Sequence, residues 1–229
     1  MLATRVYRNA PAINTAMGHV YFYMMTAVLN SMFISYAVGS SPILMEFFFT
    51  GIMRWVVLFA PLAAIFFINP AIAAAPQRSV AVGLLHFFAA LMGLSMSAIF
   101  AVYTFGSIFT AFMGAGVLFG TMSFYGYFTK RSLDNLGSFL MVGLIAIIIA
   151  SIINIFVGST VMQMVISTIA ILIFLGLTAY DTQKIREMVS IDSENNAVEI
   201  IGALTLYLNF INLFINLLQL IGIGSGKDD

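Results

Sequence analysis

Cysteine is absent from the 229-residue chain, which excludes disulfides, thiol catalysis and cysteine-ligated metal sites. Charge is scarce as well. Only 8% of residues are charged, against about 25% in a soluble domain. No phosphate-cradling loop and no GxSxG elbow occur, and no two carboxylates stand at helical spacing inside an apolar run. The chain is therefore expected to be no enzyme and to need no cofactor. Its basic residues are too few and too scattered for nucleic-acid recognition. The N-terminal stretch "MLATRVYRNAPAINTAMGH" lacks the short apolar core and small-residue cleavage site of a signal peptide, so the first hydrophobic segment is expected to be retained.

What fills the chain instead is apolar. Hydrophobic residues make up 62% of it and the mean hydropathy is +1.06, more apolar surface than a soluble globule of this size could bury. This composition defines an integral membrane protein whose first partner is the lipid bilayer. About twenty apolar residues cross the ~30 Å hydrocarbon layer, and seven segments qualify. They run from Ala16 to Val38, Trp55 to Ala74, Val80 to Val102, Phe105 to Phe128, Gly137 to Val157, Thr160 to Asp181 and Ile200 to Ile223. "GSSP" breaks the first, and Pro61 is expected to kink the second. The intervening "ILMEFFFTGIM" is too short to span and is expected to lie along the surface. The expected fold is all-α, one membrane domain over residues 16–223, with residues 1–15 as an N-terminal segment and 224–229 as a tail. The links at Tyr103–Thr104 and Gly158–Ser159 are so short that they force antiparallel hairpins.

Net charge is zero, but in membrane proteins placement matters more than the sum. With the N-terminus cytoplasmic, the inner segments carry Arg5, Arg8, Arg78, Lys130, Arg131, Lys184 and Arg186, and the outer ones only Arg54 and Lys227. That asymmetry satisfies the positive-inside rule and places the C-terminus outside. Small residues gather in the third and fourth spans: Gly93, Ser95, Ser97, Gly106, Gly114, Gly116, Gly120 and Gly126. Gly116 and Gly120 form a GxxxG pair, and close helix packing is the expected use of the set.

Polar residues inside apolar runs are the candidates for function. Asp181, in "LTAYDTQKIREM", stands at the inner end of the sixth span, one turn before Lys184. A carboxylate at the edge of hydrocarbon is costly to ionise unless a cation or hydrogen-bond donors compensate. Either Lys184 or Thr182 satisfies it and it merely marks the helix end, or it is a site that responds to protons or cations. In "LTLYLNFINLFINLLQL", Asn209, Asn212 and Asn216 fall at about 0°, 300° and 340° around a helix, one narrow face that Thr205 extends. Asn30, Ser151 and Asn154 are expected to bond across helices to that face. Glu46 reads as solvated, and Asp134 as part of a surface cluster with Lys130 and Arg131. Asp192, Glu194 and Glu199 read as a solvated linker, or as a collector of cations at an inner mouth. His19 and His86 lie far apart without HxxxH spacing, which argues against zinc, and His86 reads as a hydrogen-bonded packing residue.

"LTAYDTQKI" followed by "GALTLYLNFINLFINLLQL" resembles the end of a Bax inhibitor family protein, the transmembrane Bax inhibitor motif family. "APLAAIFFI", "ALMGLSMSAIFAVY", "YGYFTKRSLDNLGSFL" and "GLIAIIIASIINIF" also resemble bacterial members, so the resemblance covers the chain from about residue 17 onward. It implies a seven-helix bundle with the last helix at its centre, in the bacterial inner membrane. It also implies a pH-sensitive calcium leak in which two aspartates act as a proton-coupled pair. Asp181 matches the first, as gate or calcium ligand; the second position holds Asn209. Arg78 is the nearest counterpart of a basic residue that latches the closed form. An Asp–Asn pair cannot share a proton as two carboxylates do, so pH sensing is expected to weaken and calcium affinity to fall. If the last helix starts at Ile200, Asn209 lies about 13 Å along it, and Asp181 looks shallower. Asn212 and Asn216 line a pathway or pin the central helix. The rival reading is a non-transporting factor that binds another membrane protein, such as a quality-control protease, although short loops leave little docking surface.

Overall fold

The computed structural model describes residues 9–191 and 197–224. Arg5, Arg8, Asp192, Glu194 and Lys227 lie outside the described residues, as do parts of the expected N-terminal segment and tail. The described residues form helices and no sheet: α1 (Ala10–Gly39), α2 (Pro42–Phe49), α3 (Met53–Ala73), α4 (Arg78–Met96), α5 (Ile99–Val102), α6 (Phe105–Phe128), α7 (Asp134–Val157), α8 (Thr160–Ser190) and α9 (Ala197–Gly224). Seven segments are long and apolar enough to cross a bilayer, with α4 and α5 together making one of them. Their buried shares separate them by role. α9 has 67% of its apolar window buried, against values between 11% for α7 and 44% for α8. α9 is thus the most covered of the seven and α7 the least.

Local chemistry sets the ends. The Asn9 side chain accepts from the Ala12 N–H and Pro11 sits in the first turn, so α1 starts there. Thr104 caps α6 by accepting from the Ser107 N–H. Gly158, at φ 67°, ends α7 in the left-handed conformation and lets the chain reverse at once into α8. The segment expected to lie along the surface contains α2, eight residues long with none buried. α3 runs on through both Pro61 and Pro70.

The chain divides into two compact units. One holds Met1–Tyr103 and Ile185–Tyr207, the other Thr104–Lys184 and Leu208–Asp229. In the first, α1 and α4 approach so closely at Gly93 that a Cβ there would stand 2.6 Å from the Ser31 carbonyl oxygen. Ser31 Oγ lies 2.7 Å from the Ala89 carbonyl and 2.7 Å from the hydroxyl of the fully buried Tyr207, joining α1, α4 and α9 at one point. In the second unit, Gly126 of α6 abuts the Ala179 backbone of α8, and Gly137 of α7 faces the Tyr180 ring. Phe210 of α9 meets Phe112 and Phe119 of α6 edge to face.

The glycine expectation thus divides. Gly93 and Gly126 serve close packing, but Gly116 and Gly120 are exposed and a Cβ at either would meet nothing within 4 Å. The GxxxG pair therefore makes no close helix contact among the described residues, and the packing expected of it is corrected.

Candidate functional site

α8 continues to Ser190, nine residues past Asp181. The alternative in which Asp181 merely marks a helix end therefore does not hold. α9 likewise starts three residues early, at Ala197. Asp181 lies nine residues before the end of α8 and Asn209 twelve residues into α9, about 13 and 18 Å along their helices. Antiparallel helices with those offsets bring the two positions to similar depth. Asn209 Nδ2 donates to Asp181 Oδ2 at 2.6 Å. The contact that spacing alone did not support is present.

Asn209 is 5% exposed, and the Asp181 carboxylate has no other hydrogen bond or ion pair among the described residues. The two alternatives that would have made it a satisfied helix-end acid are taken up elsewhere. Lys184 Nζ lies 3.3 Å from Asp134 Oδ1 at the surface, and the buried Thr182 hydroxyl lies 3.0 Å from Ser123 Oγ of α6. Asp134, expected to cluster with Lys130 and Arg131, also accepts from Ser132 Oγ. Gln183 anchors this part of α8 to the turn before α7, accepting from the Leu133 N–H and donating to the Arg131 carbonyl.

The other asparagines of the stripe behave differently. Asn212 Nδ2 donates to the Leu208 carbonyl and Asn216 Nδ2 to the Asn212 carbonyl, both within α9. The expected cross-helix bonds to this face are also corrected. Asn30 donates to the His86 carbonyl, Ser151 to its own helix at Ile147, and Asn154 to Gln163 Oε1. The bridge from α8 to this part of α9 runs through glutamines instead. Gln163 Nε2 and Ser167 Oγ both donate to Gln219 Oε1, each at 2.8 Å. Sequence reasoning missed this uncharged network; its only signal was two glutamines inside apolar runs.

Arg78, the expected latch, is the first residue of α4 and is engaged within the first unit. Its Nη2 donates to Glu199 Oε2, its Nε donates to the Tyr23 hydroxyl at 3.0 Å, and its guanidinium lies 5.2 Å from the centre of the Tyr23 ring. Glu199, expected in a solvated linker, is 7% exposed in the first turn of α9. Burial is tolerable there because the helix N-terminus favours a negative charge and Arg78 supplies a cation. His19 Nδ1 also lies 3.1 Å from Glu199 Oε2. His86 Nδ1 faces the Val82 carbonyl at 2.9 Å, as expected of a hydrogen-bonded packing residue. Glu46 is exposed. No three His, Asp or Glu side chains come together as a metal site among the described residues.

Seven helices long and apolar enough to cross a bilayer, with an acid–amide pair between the last two, define an all-α membrane protein. Residues 13–226 match the family model described as "Inhibitor of apoptosis-promoting Bax1". The chain is also similar to inner membrane protein YbhL of Escherichia coli strain K12, 37% identical over 215 residues, covering 92% of each chain. It is 37% identical over 207 residues to the uncharacterized protein RP147 of Rickettsia prowazekii, covering 89% of this chain and 87% of that one. An uncharacterized protein of Borreliella burgdorferi is 36% identical over 215 residues, covering 91% and 92% respectively. The chain belongs to the Bax inhibitor family.

Proposed function

We propose that this protein is a cation leak or transporter of the bacterial inner membrane, with calcium the favoured ion, gated where α8 and α9 meet at Asp181 and Asn209. The observation that carries the reading is the 2.6 Å bond between a buried amide and a carboxylate that has no cationic partner among the described residues. An intramembrane acid in that state marks an ion or proton path. The similarity to a protein named for the inner membrane supports the location, and the distribution of arginine and lysine supports a cytoplasmic N-terminus and an external C-terminus.

Calcium takes six to eight oxygen ligands, and affinity rises with ligand charge. One carboxylate beside a neutral amide gives weak, short-lived binding, which suits passage rather than storage. Because only one member of the pair titrates, the pair holds no shared proton, and pH sensing at this point is weaker than two carboxylates would give. Arg78, engaged by Glu199, acts on gating through the N-terminal turn of α9. Asn212 and Asn216, whose amides turn to their own backbone, tune the polarity of one face of the same helix.

The test is calcium entry into proteoliposomes loaded with a calcium dye. Wild-type protein is expected to admit calcium well above the level of protein-free vesicles, and Asp181→Ala to change that rate by tenfold or so, about 1.4 kcal/mol in barrier terms. Background flux from both proteins would refute the leak.

A further inference from the structure

Glu199 Oε2 is shared by two side chains that could each carry positive charge, Arg78 and His19. The three come from α4, α1 and α9, so one oxygen ties together three helices at the N-terminal turn of α9. We propose that His19, Glu199 and Arg78 form a proton-responsive clasp, tightened when His19 is protonated.

The geometry supports this in three steps. A carboxylate oxygen only accepts, so His19 Nδ1 must carry the hydrogen that points at Glu199. Its Nε2 is then the atom that binds a further proton, and it makes no hydrogen bond among the described residues. The His19 side chain is 44% exposed, whereas that of Glu199 is 9% exposed. The ring is thus left uncovered by the protein, while a charge created on it faces a shielded carboxylate. Protonation converts a neutral N–H···O bond into a charge-assisted one.

Arg78 does not make the second cation redundant. It keeps an independent hold through its Nε bond to the Tyr23 hydroxyl and its place over the Tyr23 ring. Among the described residues, ionisable groups on the same helices and on α8 stand as follows. Tyr23 lies on α1 itself, with its ring centre 6.5 Å from that of His19. On α4, His86 is engaged with Val82 two turns beyond Arg78. α8 reaches α9 where Ile185 meets Gly202, and its neighbouring Arg186 and Glu187 are exposed.

A double-mutant cycle read by thermal melting in detergent tests the clasp, with wild type, His19→Gln, Glu199→Gln and the double variant at about pH 5.5 and about pH 8, which bracket the usual histidine range near 6.5. The coupling between positions 19 and 199 is expected to be at least about twice as large at the lower pH. Coupling that stays constant, or that shrinks on acidification because His19 displaces Arg78, overturns the proposal. If the Glu199 variants do not fold, wild type against His19→Gln decides alone: the wild-type advantage in melting temperature must grow as pH falls, and an unchanged offset refutes the clasp. The readout involves no ion flux, so its failure is separate from any failure of the leak.

Discussion

Asn209, Asn212 and Asn216 carry the same side chain on one face of one helix, yet only Asn209 bonds to another helix. The difference follows from what each amide meets. Asn209 faces a carboxylate, whereas Asn212 and Asn216 return to carbonyls one turn back on α9. Replacing Asn209 with Leu strands the Asp181 carboxylate without a donor and should cost about 2 kcal/mol. Asn212→Leu, which exchanges a bond within its own helix for apolar surface, should stay within about 0.5 kcal/mol. Melting of the purified variants in detergent distinguishes the two. Asp181 was legible from sequence because a lone acid in an apolar run is conspicuous. The burial of Glu199 was not, because the polar stretch before it hides where α9 begins. Nor could Lys184 be assigned: helical spacing offers it to Asp181, and only the turn between α6 and α7 brings Asp134 within reach.

At the scale of helices, hydropathy alone located all seven spans, since bilayer thickness leaves a run of about twenty apolar residues little freedom. It did not fix how far α8 extends. Its last nine residues, "TQKIREMVS", contain four charged or amide side chains, so they resemble a loop by hydropathy while forming about two and a half further helical turns. That extension is what carries Asp181 to the depth of Asn209. Helix contacts were legible only in part, because a glycine declares that close approach is possible but not which side it serves. Gly93→Ala drives a methyl group into the Ser31 backbone and should cost about 1–3 kcal/mol. Gly116→Ala and Gly120→Ala place it in open space and should be neutral or slightly stabilising. Thermal melting of the three variants side by side checks the contrast.

For the whole molecule, the absence of cysteine is an experimental advantage. Single cysteines at Ala3 and Asp228 can be labelled from outside intact cells with a membrane-impermeant maleimide. The orientation set by arginine and lysine predicts labelling at Asp228 and protection at Ala3; the reverse pattern would invert every statement about inner and outer ends. The proposed gate is the acid–amide pair between α8 and α9. Its most direct test is calcium flux in proteoliposomes from about pH 5 to about pH 8, comparing wild type with Asn209→Asp. Restoring a second carboxylate beside Asp181 creates a pair that resists ionising together. The variant is therefore predicted to show a steeper dependence of flux on pH than wild type. Identical pH profiles would contradict the claim that this pair is the gate.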